Sequence, residues 1–299
     1  MTTEAANSFV AEVVEFYLRA KNRSEGDEDD PHYLESAEKF ASLQSSETIT
    51  LTNKYSETDI PDDSLALHQM HGTIFADYDE WGWYFSTKQF VDNLMAAEAN
   101  PKIASHFLHV NSGGGEAWYL DVAATAMQGL KKPVVAYAES VMASAAYYLA
   151  MNSTRIYAGT KFDIIGSIGT MVSFIDLIPL LEKYGAKYVE EYADQSSRKN
   201  RKYNDLRKGK PEQFKQEVLN PLAAEFISAV KIARPQIKEG NEDRGIFQGE
   251  TFFTQDAESL GLIDGVRTLP QAISEAYDLG IAYRQQKKAQ SKALNLVRT

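Results

Sequence analysis

The sequence contains no cysteine among its 299 residues. This absence excludes disulfide bonds, thiolate metal sites and a cysteine nucleophile. It fits a reducing compartment without requiring one. We therefore expect a cytoplasmic protein, and no residue pattern calls for a metal ion or another cofactor.

Long apolar runs are also missing. The most apolar stretch, Val134–Met151, contains Glu139, whereas a membrane span needs about 20 predominantly apolar residues. Glu4, Glu12 and Glu15 interrupt the apolar positions near the N-terminus, so we predict neither a signal peptide nor a membrane span.

Basic residues are outnumbered as well, with 31 Lys and Arg against 42 Asp and Glu and a formal net charge of −11. This balance argues against a nucleic-acid partner.

From about residue 47, segments rich in β-branched and aromatic residues alternate with helical patterns. The strand candidates are 47–52, 65–75, 102–110, 133–139, 155–158, 168–173 and 187–192. The helix candidates are 87–99, opened by the capping pair Ser86 and Gln89, 116–130, 144–152, 175–184, 211–234 with Pro221 inside it, 252–260 and 270–279. This alternation predicts an α/β fold built from repeated ββα or βαβ units.

We divide the chain into three parts. Residues 1–60 form an N-terminal extension, which combines a helix-like apolar face with the acidic stretch Glu25–Pro31. Such a charge run is typical of a solvated linker. Residues 61–280 form the main domain. Residues 281–299 form a tail with five basic residues and no acidic one, which is typical of a solvated terminus and could also contact an acidic partner.

A glycine loop, Asn111–Gly115, directly follows the strand that ends at Val110. Consecutive glycines let the backbone turn tightly and present its N–H groups. Such a loop can hold an oxyanion, although a plain turn is an equally simple interpretation. The loop lacks the spacing of a P-loop.

Two further segments place a serine among small residues. Ser144 follows the strand Val134–Ala138 and lies at the start of an alanine-rich helical run. A helix N-terminus offers unpaired N–H groups that favour a developing negative charge, so Ser144 is a candidate nucleophile. A helix cap or a packing residue is the alternative. In Gly166–Gly169, two glycines around Ser167 indicate either a close backbone approach or a bulge.

A serine nucleophile needs a base. All five histidines precede the glycine loop, so a Ser-His-Asp triad with serine before histidine, as in the Clp protease, is unavailable. His106 and His109 lie on a predicted strand and fit packing better than catalysis. A lysine base remains, provided that burial lowers its pKa from about 10.4. At that value only roughly one amine in 2,500 is neutral at pH 7.

The order and spacing of these segments resemble one family, the signal peptide peptidase A (protease IV) family of serine peptidases, which includes phage capsid-assembly proteases. The resemblance covers about residues 65–280. Its motifs here are the glycine loop, Lys132–Ala136, Ala143–Tyr148, Gly166–Gly169, Phe247–Glu250, Asp256–Ala257 and Gly261–Asp264.

The resemblance implies a Clp-protease/crotonase-type fold and a Ser–Lys dyad. Ser144 matches the nucleophile, and Ser167 matches a serine that helps to hold the lysine amine. Lys199 is our choice of base, because it follows the predicted strand 187–192 as the family lysine follows a short strand. Lys202 is the fallback, because the basic cluster around it permits a shift of three residues.

The resemblance also implies an oxyanion hole made by the backbone N–H groups of Gly114 and Ala145. Ala145 and Ala146 stand where the family usually has glycines, but alanine is small and keeps its N–H. Gly113 stands where proline is common. A substrate peptide would pair as an extra strand beside 168–173 and the glycine loop, which makes the implied substrate-binding residues Gly113, Ile168, Gly169 and Thr170.

These expectations combine into a serine endopeptidase that cleaves peptide bonds through an acyl-enzyme and works as a homo-oligomeric ring, with 211–234 as a contact region. Phage scaffold and capsid proteins are the expected substrates, in capsid maturation, and a virion-associated location is the alternative to a cytoplasmic one. A cytosolic bacterial peptidase is the alternative role. A crotonase-like acyl-CoA enzyme and a non-catalytic assembly protein are the alternative classes.

Overall fold

The protein is described here by a computed structural model that covers residues 39, 48–79, 84–237 and 244–297. The apolar helical face and acidic stretch predicted for the N-terminal extension lie outside these residues. The strands are β1 (Leu51–Thr52), β2 (Ser64–Phe75), β3 (Phe85–Ser86), β4 (Ile103–Gly115), β5 (Val134–Ala143), β6 (Arg155–Ala158), β7 (Ile164–Gly166), β8 (Thr251–Phe253) and β9 (Gly265–Val266).

Within the described residues, these strands form one sheet in the order β1-β2-β4-β5-β6-β9. β3 pairs with β2, and β7 pairs with both β5 and β8. Every pairing is parallel except that of β7 with β8. Because the central strands are parallel, their carboxyl ends meet at one edge of the sheet, and the glycine loop and Ser144 both lie there.

The helices connect and cover these strands. They are α1 (Thr87–Ala99), α2 (Leu120–Gly129), α3 (Ala145–Ala150), α4 (Ile178–Lys183), α5 (Arg201–Arg207), α6 (Glu212–Phe214), α7 (Asn220–Ala233), α8 (Thr254–Ser259) and α9 (Leu269–Val297). A π-helical turn, Lys215–Leu219, joins α6 to α7. Pro221 lies in the first turn of α7, directly after the π-helical turn, so its missing N–H interrupts the helical hydrogen bonds at this junction.

Alternation along the strands gives the sheet two buried faces. On one face, Leu108 and Met142 pack with Tyr147 of α3 and Val230 of α7. On the other face, the cluster contains strand residues such as Phe107 and helix residues of α9. The predicted α/β class is confirmed, and a parallel sheet with helices on both faces agrees with the Clp-protease/crotonase-type expectation.

Ser86 caps α1 as predicted, since its Oγ accepts the N–H of Gln89 at 3.1 Å. The folded unit includes residues 48–60, because β1 pairs with β2 and Ile49 is buried. Helix α9 runs without interruption through the predicted boundary at 280/281. Residues 281–297 therefore continue a helix of the main domain.

Two predicted strands are wrong. Residues 168–173 form no strand, because the ladder ends at Gly166 and the backbone of Ser167 turns to a φ of 53°. Residues 187–192 have strand-forming side chains but no ladder partner among the described residues, so Tyr188 and Val189 are exposed. β propensity alone does not make a strand where no neighbouring strand supplies hydrogen bonds.

A buried ion pair joins α7 to the segment before β9. Arg234 is 4% exposed, and its Nη2 lies 2.9 Å from Asp264 Oδ1. Its Nε donates to the carbonyl of Gly261, and Asp264 also accepts the N–H of Ile156. The pair therefore connects α7, β6 and the β9 segment.

We expect Arg234→Met to lower the free energy of unfolding by about 2 kcal/mol, because it removes the charge-assisted hydrogen bonds that the buried guanidinium donates to Asp264 and Gly261. The matched control is Arg244→Met, which removes an ion pair with Asp256 whose side chains are 48% and 53% exposed. That change should cost less than about 1 kcal/mol. Urea denaturation of both variants checks the difference, and equal losses would contradict it.

Candidate active site

Ser144 occupies the junction between β5 and α3. Its backbone has φ 54° and ψ −124°, a conformation that costs free energy for any residue other than glycine. Its N–H donates to the carbonyl of Gly166 at 2.9 Å, and its carbonyl accepts the N–H of Tyr148. The residue is half-buried, so its hydroxyl is held at a strand-to-helix turn within reach of solvent.

Gly114 lies directly against this serine. An added Cβ at Gly114 would be 2.7 Å from the Ser144 Cβ and 2.8 Å from the Ala145 nitrogen. The φ of Gly114 is +98°, which L side chains rarely adopt. Both the space and the backbone conformation therefore require glycine, and the glycine loop touches the candidate nucleophile.

The two predicted oxyanion donors differ in their surroundings. The N–H of Ala145 is in the first turn of α3, where a helix has no internal acceptor for it. The N–H of Gly114 donates to Ser112 Oγ at 3.1 Å, and Ser112 Oγ donates to the carbonyl of Gly72. Ser112, to which the sequence assigned no role, therefore fixes the loop and occupies one of the predicted donors.

Ser167 lies next to the carbonyl that Ser144 contacts. Gly166 and Ser167 have φ values of +118° and +53°, and Ser167 is 5% exposed. The N–H of Ser167 donates to the carbonyl of Glu250 at 2.7 Å. The structure thus brings Ser144, Ser167 and the glycine loop together, and the hydrogen bond to Glu250 holds the backbone of Ser167.

The residues predicted to bind substrate occupy different environments. Gly113 has open space around it, and Gly169 packs against Gly249. Ile168 is completely buried, so its side chain belongs to the core. The hydroxyl of Thr170 donates to the carbonyl of Leu219 at 2.8 Å, which ties this segment to the π-helical turn.

Among the described residues, no hydrogen bond joins a lysine amine to Ser144. Lys199 is exposed, and among the described residues no hydrogen bond or ion pair of its amine is present. Lys202 lies 3.6 Å from Glu217 Oε2, with its side chain 31% exposed. The burial that a lysine base needs is not supplied to either amine by the part of the chain that the structure describes.

Both lysines belong to a segment that we call the arm, residues 171–210. No residue from Met171 to Asn200 is buried. The arm is held together by its own contacts, such as Arg207 Nε with Asp176 Oδ2 at 3.1 Å and Asn204 with Glu190 at 2.9 Å. Eleven of its large apolar or aromatic side chains are 38–80% exposed: Met171, Val172, Phe174, Ile175, Leu177, Leu180, Leu181, Tyr184, Tyr188, Val189 and Tyr203.

The histidines of β2 and β4 pack inside the protein, as predicted for His106 and His109. His106 Nδ1 lies 3.0 Å from His68 Nε2, and burial lowers the pKa of both imidazoles. His109 Nε2 lies 2.8 Å from Glu139 Oε2. These residues precede the glycine loop on β2 and β4, away from Ser144.

A serine in a strained turn between strand and helix, beside a glycine loop and a first-turn N–H, is an arrangement suited to a serine nucleophile. The chain belongs to peptidase family S49, whose profile matches residues 126–280, just over half of the sequence. It is therefore a serine peptidase of this family. The predicted family and enzyme class are confirmed, and the acyl-CoA enzyme is set aside.

Curated relatives agree with this assignment. The chain is 27% identical over 213 residues to the protein named "Putative protease MJ0651" of Methanocaldococcus jannaschii, covering 69% of this chain and 67% of that protein. It is 28% identical over 196 residues to the chloroplastic serine protease SPPA of Arabidopsis thaliana. That alignment covers 63% of this chain but only 28% of the plant protein.

Among solved structures, the chain is similar to the 1510-N membrane-bound stomatin-specific protease. A serine-to-alanine mutant of that protein aligns with a TM-score of 0.45 and 15% identity, over 70% of this chain and 81% of the other. A lysine-to-alanine mutant in complex with a substrate peptide aligns with a TM-score of 0.43 and 16% identity, over 70% of this chain and 77% of the other. Among the described helices of this chain, none is both long enough and apolar enough to span a membrane.

We expect Gly114→Ala to reduce peptidase activity at least a hundredfold, because the added methyl would overlap Ser144 and the Ala145 nitrogen. The matched control is Gly129→Ala, since an added Cβ at Gly129 meets nothing within 4 Å. Casein hydrolysis per folded molecule, with circular dichroism as the folding check, measures both. Full activity of folded Gly114→Ala would contradict the contact.

Proposed function

We propose that this protein is an endopeptidase in which Ser144 is the nucleophile and Lys199 is the general base. The neutral Lys199 amine takes the proton of the Ser144 hydroxyl as Oγ attacks a peptide carbonyl. The protonated amine then gives that proton to the leaving nitrogen, and an acyl-enzyme remains. Water, deprotonated by the same amine, attacks the ester and releases Ser144.

The observation that carries this proposal is the conformation of Ser144. A φ of 54° on a serine is maintained only because Gly166 and Gly114 fix the backbone around it. Such strain is concentrated at functional sites. The alternative, a helix cap, would need the Ser144 side chain to accept a hydrogen bond from α3, and no side-chain cap bond is present.

The oxyanion would be bound by the N–H groups of Ala145 and Gly114. Ala145 offers its N–H at once, whereas the N–H of Gly114 must exchange Ser112 Oγ for the oxyanion. A single donor of this kind contributes about 3–4 kcal/mol to the transition state elsewhere. Ser167, whose N–H donates to the carbonyl of Glu250, would contact the lysine amine.

A peptide substrate has a free backbone edge beside this site. β4 pairs with β2 as far as Gly115, but it pairs with β5 only as far as Ser112. Gly113, where an added Cβ would meet nothing within 4 Å, is therefore outside the described ladder with β5. Substrate backbone would pair there, and the segment 168–170 would line the opposite side as a loop.

The lysine would come from a neighbouring copy in a homo-oligomer. The arm exposes eleven large apolar or aromatic side chains together with Lys199, and exposed apolar area of this extent is typical of an interaction site. Packing the arm on a second copy would bury this surface and remove water from the amine. The helical region 211–234 adjoins the arm and would take part in the contact.

For the biological role, scaffold and capsid proteins of a phage are the proposed substrates, on the strength of the resemblance to capsid-assembly proteases. A cytosolic bacterial peptidase acting on small apolar sites is the second candidate. Purified protein mixed with scaffold protein and, separately, with casein distinguishes the two by the cleavage products.

Replacing Ser144 with alanine tests the nucleophile. We expect Ser144→Ala to lose at least a thousandfold in rate while keeping the fold, because the side chain makes no structural hydrogen bond in α3. Intact mass over time, for the protein alone and with casein, measures self-cleavage and substrate cleavage. Cleavage at the wild-type rate by the pure variant would disprove the role of Ser144.

A complementation experiment tests both the base and the source of the lysine. We expect Lys199→Ala to be inactive, Lys202→Ala to remain active and the matched control Lys208→Ala to be unaffected. A mixture of inactive Ser144→Ala and inactive Lys199→Ala should regain about a quarter of the wild-type activity, if random assembly pairs intact residues from different copies. No recovery after exchange of subunits would place the dyad within one chain.

A further inference from the structure

We propose that Asp163 is a positioning residue for Ser144, because it sets the register in which β5 meets β7. The proposal rests on the proposed function of Ser144 and goes beyond it, since Asp163 carries no role in any motif discussed above. It concerns a carboxylate that contacts no reacting atom and acts through the backbone.

Asp163 is 2% exposed and accepts four hydrogen bonds. Its Oδ2 accepts the N–H groups of Gly159 and Thr160 at 2.7 and 2.8 Å. Its Oδ1 accepts the Thr160 hydroxyl at 2.6 Å and the N–H of Ser140 at 3.3 Å. Both carboxylate oxygens are therefore fully used, and one of these bonds crosses from the β6–β7 turn to β5.

The bond to Ser140 lies where β5 changes its pairing partner. β5 pairs with β6 from Val135 to Ala138 and then with β7 from Val141 to Ala143. Between the two ladders, Ser140 takes a φ of 73°, and β5 has two residues more than β4 over the same interval. Asp163 is the group that joins this irregular point to the turn between β6 and β7.

The ladder that follows is short and leads directly to the nucleophile. β5 and β7 share three residue pairs, of which the last is Ala143 with Gly166. The next contact is the Ser144 N–H on the Gly166 carbonyl. Since one step of register reverses every side chain of a strand, an error at Asp163 would move Ser144 relative to Ser167.

The turn that holds Asp163 is also fixed from outside. The Thr254 hydroxyl, at the start of α8, donates to the carbonyl of Thr160 at 2.5 Å. The turn is therefore hydrogen-bonded on one side to the start of α8 and on the other side to β5, and the Asp163 carboxylate makes the bond to β5. A surface aspartate with a purely solvating role would show none of these contacts.

The test is Asp163→Asn, which keeps the shape of the side chain. If the amide nitrogen replaces Oδ2, the bonds from the N–H groups of Gly159 and Thr160 are lost. If it replaces Oδ1, the Ser140 N–H loses its acceptor, whereas the Thr160 hydroxyl can turn to accept from the NH₂ group. The matched control is Asp264→Asn, which weakens the pair with Arg234 and the bond to Ile156 but leaves the β5–β7 ladder intact. Thr160→Val, which removes only one of the bonds to Asp163, is the milder second variant in case Asp163→Asn does not fold.

Two measurements are made on the full chain. The first is the rate at which a fluorophosphonate probe labels Ser144, per folded molecule, with kcat and KM for fluorescent casein alongside. The second is amide hydrogen exchange of the peptides that span 141–146 and 164–167. Amide exchange reports whether the hydrogen bonds between β5 and β7 are formed, and it does so independently of peptidase activity.

We expect Asp163→Asn to lower the labelling rate and kcat at least tenfold, with KM within threefold of wild type and an unchanged labelling end point. Exchange in 141–146 and 164–167 should be at least tenfold faster. Thr160→Val should show the same pattern with two- to fivefold changes. Asp264→Asn should lose stability without these changes in labelling and exchange.

The proposal would be overturned if the two peptides of Asp163→Asn exchange at the wild-type rate. It would also be overturned if Asp163→Asn is labelled as fast as a wild-type sample that does label in the same experiment. Failure of the wild type itself to label would contradict the role of Ser144, and the exchange result would still decide the role of Asp163.

Discussion

The site depends on one close backbone contact, that of the glycine loop with the end of β5. Only the missing side chain of Gly114 lets the loop approach Ser144 and the first N–H of α3. The two extra residues of β5 between its pairings with Val110 and Ser112 carry the strand end to that position. A parallel sheet places both strand ends at one edge, and the irregularity of β5 then brings the candidate nucleophile and the candidate oxyanion donors together.

Three serines at this edge have positive φ values: Ser140, Ser144 and Ser167. Such conformations cost about 1–3 kcal/mol each outside glycine, so neighbouring groups must hold them. The N–H of each one is in fact bonded, to Asp163, Gly166 and Glu250 respectively. The stability of the surrounding sheet is thus used to keep Ser144 in a conformation that an isolated strand-to-helix turn would not adopt.

The fold class and the main motifs could be predicted because they depend on local pattern. Strand and helix alternation indicated the α/β class, and small residues marked Gly114, Ser144 and Ser167. The strand predicted at 187–192 was wrong because its residues have strand propensity but no described neighbouring strand. Asp163 gave no signal, since an aspartate in a turn looks solvated until the N–H of Ser140, 23 residues away along the chain, is seen to reach it. Ser112 escaped notice because its partner, Gly72, comes from another strand.

The arm contains Lys199, the proposed base, in surroundings that do not bury its amine. Its charged groups pair among themselves, as Asp176 does with Arg207, whereas its apolar side chains stay exposed and Lys199 remains in water. In the proposed assembly these two features have one cause, because the surface that drives association also supplies the burial that a lysine base needs. Activity would then follow the oligomer population by mass action. A copy that has not yet assembled would carry a fully formed nucleophile and an inactive base, so cleavage would begin where copies are concentrated.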